Sequence, residues 1–198
     1  MRPLPFIGEQ DYALFFWSAF GLWILPEVVA ARARRSGDST LTQDQGSLNL
    51  IALLWLLGIG LDFGLSLWVP EAAIIWKRVS IFFAGLGLMI SGTAFRWYSA
   101  SLLGKYFTFD VATHSGQTVI EEGPYRYIRH PSYTGALLSL LGFGLALGNW
   151  AGLVACLSCL GAAYAYRIPV EERALLSALG EPYRQYLQRT WRLVPFLF

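Results

Sequence analysis

Charged residues are scarce in this sequence. Asp, Glu, Lys and Arg make up 14% of its 198 residues, whereas about 25% is usual for soluble domains. Hydrophobic residues reach 55%. This composition excludes an ordinary soluble domain and indicates a single membrane domain over residues 1–198. The net charge of +2 is too small to indicate a nucleic-acid partner, so we expect none.

Cysteine is almost absent as well. Cys156 and Cys159 lie three positions apart in an apolar segment, with no second pair nearby. A single C-x-x-C pair is a weak signal for a metal or redox site. We therefore expect two small packing residues and no metal site.

Apolar runs, in contrast, are long and frequent. A membrane-spanning helix needs about 20 mostly apolar residues, and five candidates cover residues 12–31, 48–69, 79–103, 133–147 and 152–166. The last two are short and are separated only by a turn at about residues 148–150, which predicts a tight helical hairpin. The sequence therefore predicts an all-α membrane protein with about five transmembrane helices.

The C-terminal residues 169–198 are predicted to form two short amphipathic helices. Pro169 suits the start of the first helix, Gly180 its C-terminal cap, and Pro182 the first turn of the second. Aromatic and aliphatic residues recur there at the spacing of 3 and 4 that gives one buried face. Such helices lie against the bundle or in the membrane interface.

The basic residues are distributed unequally between the two sides of the predicted membrane. With the N-terminus outside, twelve of the 15 Lys and Arg residues fall on the inner side, and only Arg2, Lys77 and Arg78 fall outside. The positive-inside rule then places the polar loop 104–131 and the C-terminus in the cytoplasm.

Four charged residues lie at the inner edge of the predicted spans. Arg96 is near the end of the third span and Arg167 at the end of the fifth, with Glu171 and Glu172 about one helical turn later. Charges in such positions are costly and are functional by default. The alternative is that the arginines are snorkelling anchors and the glutamates an acidic helix start.

Two further acids lie within the apolar runs. Asp62, in the middle of the second span, belongs either to a path for a lipid substrate or to an internally satisfied polar group. Glu27 follows Pro26, and we expect it to pair with a loop arginine near a kink.

The segment GPYRYIRHPSYTG, residues 123–135, is followed about 40 residues later by EERALLSALGEPYRQYLQRTWRLVP. Together they resemble the isoprenylcysteine carboxyl methyltransferase family of integral-membrane methyltransferases. The resemblance extends from about Arg96 to Pro195 through LG-x-x-F, G-x-Y, RHPSY-x-G, R-x-x-x-EE-x-x-L and G-x-x-Y-x-x-Y, and so many elements in one order make it specific. On the basis of this resemblance we divide the domain into a variable part, residues 1–78, and a methyltransferase core, residues 79–198.

The resemblance implies S-adenosylmethionine as methyl donor, held by the cytoplasmic loop, the start of the fourth span and the first tail helix. The implied cofactor-binding residues are Gln117, Thr118, Val119, Ile120, Tyr125, His130, Pro131, Ser132, Tyr133 and Glu171. Arg96 and Arg167 match catalytic, acceptor-side positions that orient a carboxylate, and Glu172 is a further substrate contact. The implied acceptor is a lipophilic small molecule or a prenylated cysteine. We expect the protein to bind it within the membrane lipid and to act as a monomer.

Other functions remain open at this point. A phospholipid, amine or thiol methyltransferase shares the RHP-x-Y and EE elements, although two arginines would repel an ammonium group. A non-catalytic membrane binding subunit is disfavoured by the presence of His130, Tyr133, Arg167 and Glu171. A sterol-reductase-like enzyme with a nicotinamide cofactor is disfavoured by the short chain.

Overall fold

The computed structural model describes residues 10–33, 41–42, 44, 46–114 and 116–196. Most of these residues belong to helices α1 (Gln10–Ala33), α2 (Ser47–Trp68), α3 (Arg78–Leu103), α4 (Pro131–Leu147), α5 (Trp150–Leu179) and α6 (Glu181–Arg189). Two short strands, β1 (Leu41–Thr42) and β2 (Ala112–Thr113), pair antiparallel. Short 3₁₀ turns cover Pro70–Ala72, Gly104–Tyr106 and Gly123–Arg126.

The predicted all-α membrane class is confirmed. Helices α1, α2, α3 and α5 are long and apolar enough to cross a membrane, whereas α4, with 17 residues, is shorter. The number of five spans stays a prediction, because it depends on how α4 sits in the bilayer.

Helices α3 and α4 pack backbone against backbone. A Cβ on Gly92 would lie 2.5 Å from the backbone nitrogen of Ser139, and a Cβ on Gly135 would lie 2.7 Å from that of Arg96. No larger side chain fits at such distances, and small residues are what permit close helix approach in membranes. The contact places Arg96 directly beside Ser132, in the first turn of α4.

An aromatic cluster holds α1 and α2 against α4. The ring of Phe143 on α4 lies 5.3 Å from both Trp23 on α1 and Phe63 on α2, and Phe16 and Phe20 complete the cluster. Aromatic pairs at this separation add to the stabilisation that burial provides. The cluster fixes the position of α1, which carries Glu27.

A tight turn joins α4 to α5 as predicted, but α5 has 30 residues and is not the short segment predicted at 152–166. The turn is tied to the end of α2. Gly148 ends α4 with φ of 74°, a conformation that glycine adopts readily. Asn149 caps α5 by accepting from the Gly152 nitrogen at 3.1 Å. Its Nδ2 donates to the carbonyl oxygens of Leu65 and Val69 at 3.2 and 2.8 Å.

The prediction of a separate tail helix beginning at Pro169 is wrong. Helix α5 continues through Pro169 to Leu179, because buried packing on both sides of the proline outweighs the one backbone hydrogen bond that it removes. The final helix, α6, does begin after Gly180 as predicted. Arg167 and Glu171 consequently lie on one continuous helix, one turn apart.

Candidate active site

A cavity of about 330 Å³ lies where helices α1 to α6 meet the loop that precedes α4. The wall from α1 and α2 is largely apolar and includes Trp23, Ile51 and Trp55. Polar groups come from Glu27 on α1, from helices α3 to α6, and from the segment 117–120, which has no regular secondary structure. This volume, with an apolar lining and a few polar groups, is typical of a small-molecule site.

Most of the predicted site residues line this cavity. They are Arg96, Gln117, Thr118, Val119, Ile120, Tyr125, His130, Ser132, Tyr133, Arg167 and Glu171. Pro131 is buried as the first residue of α4 but is not part of the lining, and Glu172 faces the C-terminal segment. The functions that the resemblance implies for them stay predictions.

Arg96 is paired with an acid on α1. Its Nε and Nη2 donate to Oε1 and Oε2 of Glu27 at 2.5 and 2.9 Å. Its Nη1 donates to Oγ and the carbonyl oxygen of Ser132 at 2.8 and 3.2 Å. The expectation that Glu27 pairs with a loop arginine is therefore wrong: α1 packs along α3, which brings Arg96 within its reach.

Arg167 joins three parts of the chain. Its Nη1 donates to Asp44 Oδ1 at 2.5 Å and Ser47 Oγ at 2.7 Å, and its Nη2 donates to the carbonyl oxygen of Phe109 at 2.5 Å. Its Nε donates to Tyr133 Oη at 3.2 Å. The residue is 2% exposed, so it is not a snorkelling anchor that extends towards lipid headgroups.

Asp44 is both the ion-pair partner of Arg167 and a cap for α2. Its Oδ1 accepts from Ser47 Oγ at 2.9 Å and the Val111 nitrogen at 3.1 Å, and its Oδ2 accepts from the Leu48 nitrogen at 3.0 Å. Burial alone would raise the pKa of Asp44, but these hydrogen bonds and the charge of Arg167 hold it below its usual value. The carboxylate therefore stays ionised and bound in place.

Tyr133 connects Arg167 to Glu171. Its hydroxyl donates to Glu171 Oε2 at 2.7 Å, and its ring is stacked between His130 and Tyr164 at centroid distances of 5.4 and 4.4 Å. The described residues direct no hydrogen bond to the other oxygen of Glu171, Oε1. One acceptor of this cavity-lining carboxylate is therefore available to a ligand.

Glu172, the next residue, has different surroundings. Its Oε1 accepts from Arg129 Nε at 2.9 Å and its Oε2 from Arg192 Nη2 at 3.0 Å. The Nε2 atom of His130 lies 3.5 Å from Oε1. This geometry favours a role in holding the surrounding segments together over the predicted contact with substrate.

The segment held by Glu172 is a C-terminal strap, residues 190–193. The backbone nitrogens of Arg129 and His130 donate to the carbonyl oxygens of Trp191 and Arg192 at 2.7 and 3.0 Å, and the Trp191 nitrogen donates back to Tyr127 at 2.9 Å. The strap therefore fixes the backbone that leads into α4 and carries His130 to the cavity.

Three tyrosines complete the polar lining. Burial raises the pKa of Tyr125, Tyr183 and Tyr186, and the negative charge of Glu171 raises it further for the first two. Tyr186 donates its hydroxyl to the carbonyl oxygen of Tyr125 at 2.7 Å. These side chains present neutral phenol rings at physiological pH.

Asp62 is enclosed in the helix bundle, and its two predicted roles stay predictions. It is fully buried and does not line the cavity, and neither carboxyl oxygen has a hydrogen-bond partner among the described residues. The carboxyl group fills the space beside Gly144 and Gly152, where a Cβ on Gly144 would lie 2.9 Å from Oδ2. Gly152 is in the first turn of α5, where the helix dipole favours negative charge.

Asp44, Tyr164 and Tyr183 are among the residues of the site that were not predicted. Asp44 precedes a helix, and an acid at that position is a recognisable start signal, but nothing in the sequence links it to Arg167. Tyr164 is one aromatic residue in an apolar span, and Tyr183 is one member of an amphipathic face. No local pattern distinguishes either from a packing residue.

Comparison with known proteins gives consistent matches. The sequence profile of the isoprenylcysteine carboxyl methyltransferase (ICMT) family matches residues 85–177. The probable protein-S-isoprenylcysteine O-methyltransferase of Oryza sativa subsp. indica is 31% identical over 134 residues, which are 67% of this chain and 69% of that protein. Protein-S-isoprenylcysteine O-methyltransferase B of Arabidopsis thaliana is 32% identical over 115 residues, 57% of this chain and 58% of that protein.

A solved structure agrees with the sequence matches. The structure of the eukaryotic intramembrane Ras methyltransferase ICMT superposes with a TM-score of 0.60 at 26% identity, over 74% of this chain and 52% of that chain. This chain thus spans about two thirds of the rice protein and about half of the solved one. On these grounds it belongs to the isoprenylcysteine carboxyl methyltransferase family of integral-membrane methyltransferases.

Proposed function

We propose that this chain transfers a methyl group from S-adenosylmethionine to the carboxylate of a lipophilic, prenylcysteine-like acceptor. The observation that carries the proposal is the position of Arg96 and Arg167, two buried guanidinium groups lining a cavity that also has an apolar wall. Planar guanidinium groups suit carboxylate oxygens, and the apolar wall suits a hydrocarbon chain. The names of the rice and Arabidopsis relatives support the same acceptor class.

The polar part of the cavity fits S-adenosylmethionine. Oε1 of Glu171 can accept from the ammonium group of the cofactor. His130 lines the cavity with Nδ1 3.8 Å from Glu171 Oε2, and this nitrogen can contact an oxygen of the cofactor, whereas Nε2 faces Glu172 Oε1 at 3.5 Å. Backbone groups of the segment 117–120 can meet the adenine edge, and the rings of Tyr125 and Tyr183 offer π faces to a cation.

S-adenosylmethionine supplies a methyl group bound to a positively charged sulfur. A carboxylate oxygen of the acceptor forms a bond to the methyl carbon as the bond from that carbon to sulfur breaks, giving a methyl ester and S-adenosylhomocysteine. No proton moves in this reaction, so the protein acts mainly by alignment. Arg96 and Arg167 orient the attacking oxygen, and the apolar wall holds the hydrocarbon chain.

We expect Glu171→Gln to weaken the binding of S-adenosylmethionine at least tenfold, about 1.4 kcal/mol. The amide removes the negative charge that would pair with the ammonium group. Calorimetry on the purified protein in detergent measures this affinity, and His130→Ala is expected to give a loss of similar size. Glu121→Gln is the matched control, because Glu121 is exposed and is paired with Arg189. Wild-type protein that stays folded and binds no cofactor would refute the proposed function.

We propose further that the loop 104–131 and α6 face the cytoplasm, with the N-terminus outside. The basic-residue distribution supports this orientation. After both native cysteines are replaced by alanine, single cysteines at the exposed positions Gly116 and Gln188 should react with an impermeant thiol reagent only from the cytoplasmic side. A cysteine at Glu71 should react only from the opposite side. Labelling of Gly116 and Gln188 from different sides would contradict the odd number of spans.

We also propose that the monomer is the catalytic unit. The proposal is supported by the cavity, whose apolar and polar walls both come from residues of this chain.

A further inference from the structure

Arg96 already holds a carboxylate in the geometry that an acceptor would adopt. Two parallel N–H groups of the guanidinium donate to the two oxygens of Glu27 at 2.5 and 2.9 Å, which is the paired arrangement in which arginine recognises a carboxylate ligand. Glu27 itself lines the cavity. Arg96 and Glu27 therefore both line the space that the acceptor must enter.

The acids beside the two arginines differ in how firmly they are held. Asp44 is bound by Arg167, by Ser47 and by two backbone nitrogens. Glu27, in contrast, has Arg96 as its one hydrogen-bond partner within the described part of the chain. Displacing Asp44 would uncap α2, whereas displacing Glu27 breaks only its contact with Arg96.

The position of Glu27 in α1 also permits movement. Pro26 comes directly before it inside the helix, and a proline supplies no N–H to the preceding turn, so helices bend at such positions. The side chain of Glu27 is 15% exposed in the cavity wall. A small change in the bend of α1 at Pro26 can therefore move the Glu27 carboxylate away from Arg96.

We propose, on the basis of the function proposed above, that Glu27 is a built-in occupant of the acceptor-carboxylate site. Glu27 binds the guanidinium of Arg96 while acceptor is absent, and the acceptor carboxylate displaces it by taking the same two N–H groups. Exchange of one carboxylate for another keeps the buried guanidinium of Arg96 paired with an anion throughout.

This exchange makes Glu27 a determinant of specificity and of product release. A neutral analogue cannot compete with a carboxylate for the guanidinium, so lipophilic amides and esters bind weakly. Methylation converts the acceptor into a neutral ester, and Glu27 then returns to Arg96. The neutral ester is thereby released, and the next acceptor carboxylate can bind.

The test compares N-acetyl-S-farnesylcysteine with its carboxamide, by equilibrium binding in detergent in the presence of S-adenosylhomocysteine. We expect Glu27→Gln to bind the acid about tenfold more tightly and the amide as wild type does, so that the acid-to-amide affinity ratio rises. Glu27→Asp keeps the charge on a shorter side chain that cannot reach both N–H groups, and it should raise the ratio by a smaller factor. Glu71→Gln, at an exposed residue of the Pro70–Ala72 turn, should leave the ratio unchanged.

A purely structural role for Glu27 predicts a different pattern. Both variants would then lose thermal stability and would weaken acid and amide equally, leaving the ratio unchanged, and that result would overturn the proposal. If Glu27→Gln fails to fold, Glu27→Asp alone decides, because an unchanged or lower ratio contradicts displacement. Wild-type protein that binds neither compound would instead contradict the proposed function from which the inference starts.

Discussion

Replacing Arg167 with lysine is expected to lower the rate of methyl transfer on the order of a hundredfold, because a charge-assisted contact with the acceptor carboxylate, of the kind that costs about 2–4 kcal/mol to remove, is lost. The guanidinium reaches Asp44, Ser47, Phe109 and Tyr133 at once. An ammonium group is a point charge and cannot keep the planar set of donors. Methylation rate and cofactor affinity should both be measured, and we expect the affinity to change by only a few-fold.

Tyr133→Phe is the matched control for this prediction. It removes the hydroxyl that links Arg167 to Glu171 and keeps the ring stacked between His130 and Tyr164. If Arg167 acted only through this link, both variants would lose cofactor affinity to the same extent. A lysine variant with wild-type turnover would remove Arg167 from the reaction and would favour an amine or thiol acceptor.

Replacing Glu172 with alanine is expected to destabilise the folded protein by about 3–5 kcal/mol, the usual cost of removing one partner of a buried ion pair. The side chains of Glu172 and Arg129 are 11% and 10% exposed, and Arg192 and His130 also face this carboxylate. Without it, these groups lose the anion that keeps the C-terminal strap against the start of α4. Thermal unfolding in detergent measures the loss, and trypsin should cut the variant faster at Arg189 and Arg192.

Glu171→Ala is the control at the neighbouring position. Within the described part of the chain Glu171 makes one hydrogen bond, to Tyr133, and its side chain is 29% exposed, so we expect a stability loss of no more than about 1 kcal/mol. If Glu172 contacted the substrate, as the sequence predicts, its replacement would instead leave stability unchanged and weaken acceptor binding. A Glu172→Ala protein with wild-type stability and impaired acceptor binding would support that role.

Much of the architecture follows from local patterns in the sequence. Long apolar runs define α1, α2 and α3, and the Gly148–Asn149 pair marks the turn between α4 and α5. The continuity of α5 through Pro169 was not predictable in this way, because it depends on packing from distant helices rather than on the proline itself. The local rule that a proline marks a helix start therefore failed at Pro169, where tertiary packing outweighed it.

Many residues of the candidate site were predictable from the sequence, but their pairings were not. Arg96 and Arg167 stood out because charges are costly near apolar spans. Their partners, Glu27 and Asp44, lie 69 and 123 positions away in the sequence, and no spacing rule connects such distances. For the same reason the sequence could not separate Glu171, which lines the cavity, from Glu172, which holds the strap.

The measurement that tests the central claim most directly is the chemical nature of the methylated product. Purified wild-type protein would be incubated with N-acetyl-S-farnesylcysteine and S-adenosylmethionine carrying a tritiated methyl group, and the extracted lipid would then be treated with mild base. Transfer to a carboxylate predicts a methyl ester that base hydrolyses to volatile labelled methanol, with no label incorporated into the carboxamide analogue. Label that resists base, or label gained only by an amine- or thiol-containing lipid from a total extract, would contradict the carboxylate acceptor.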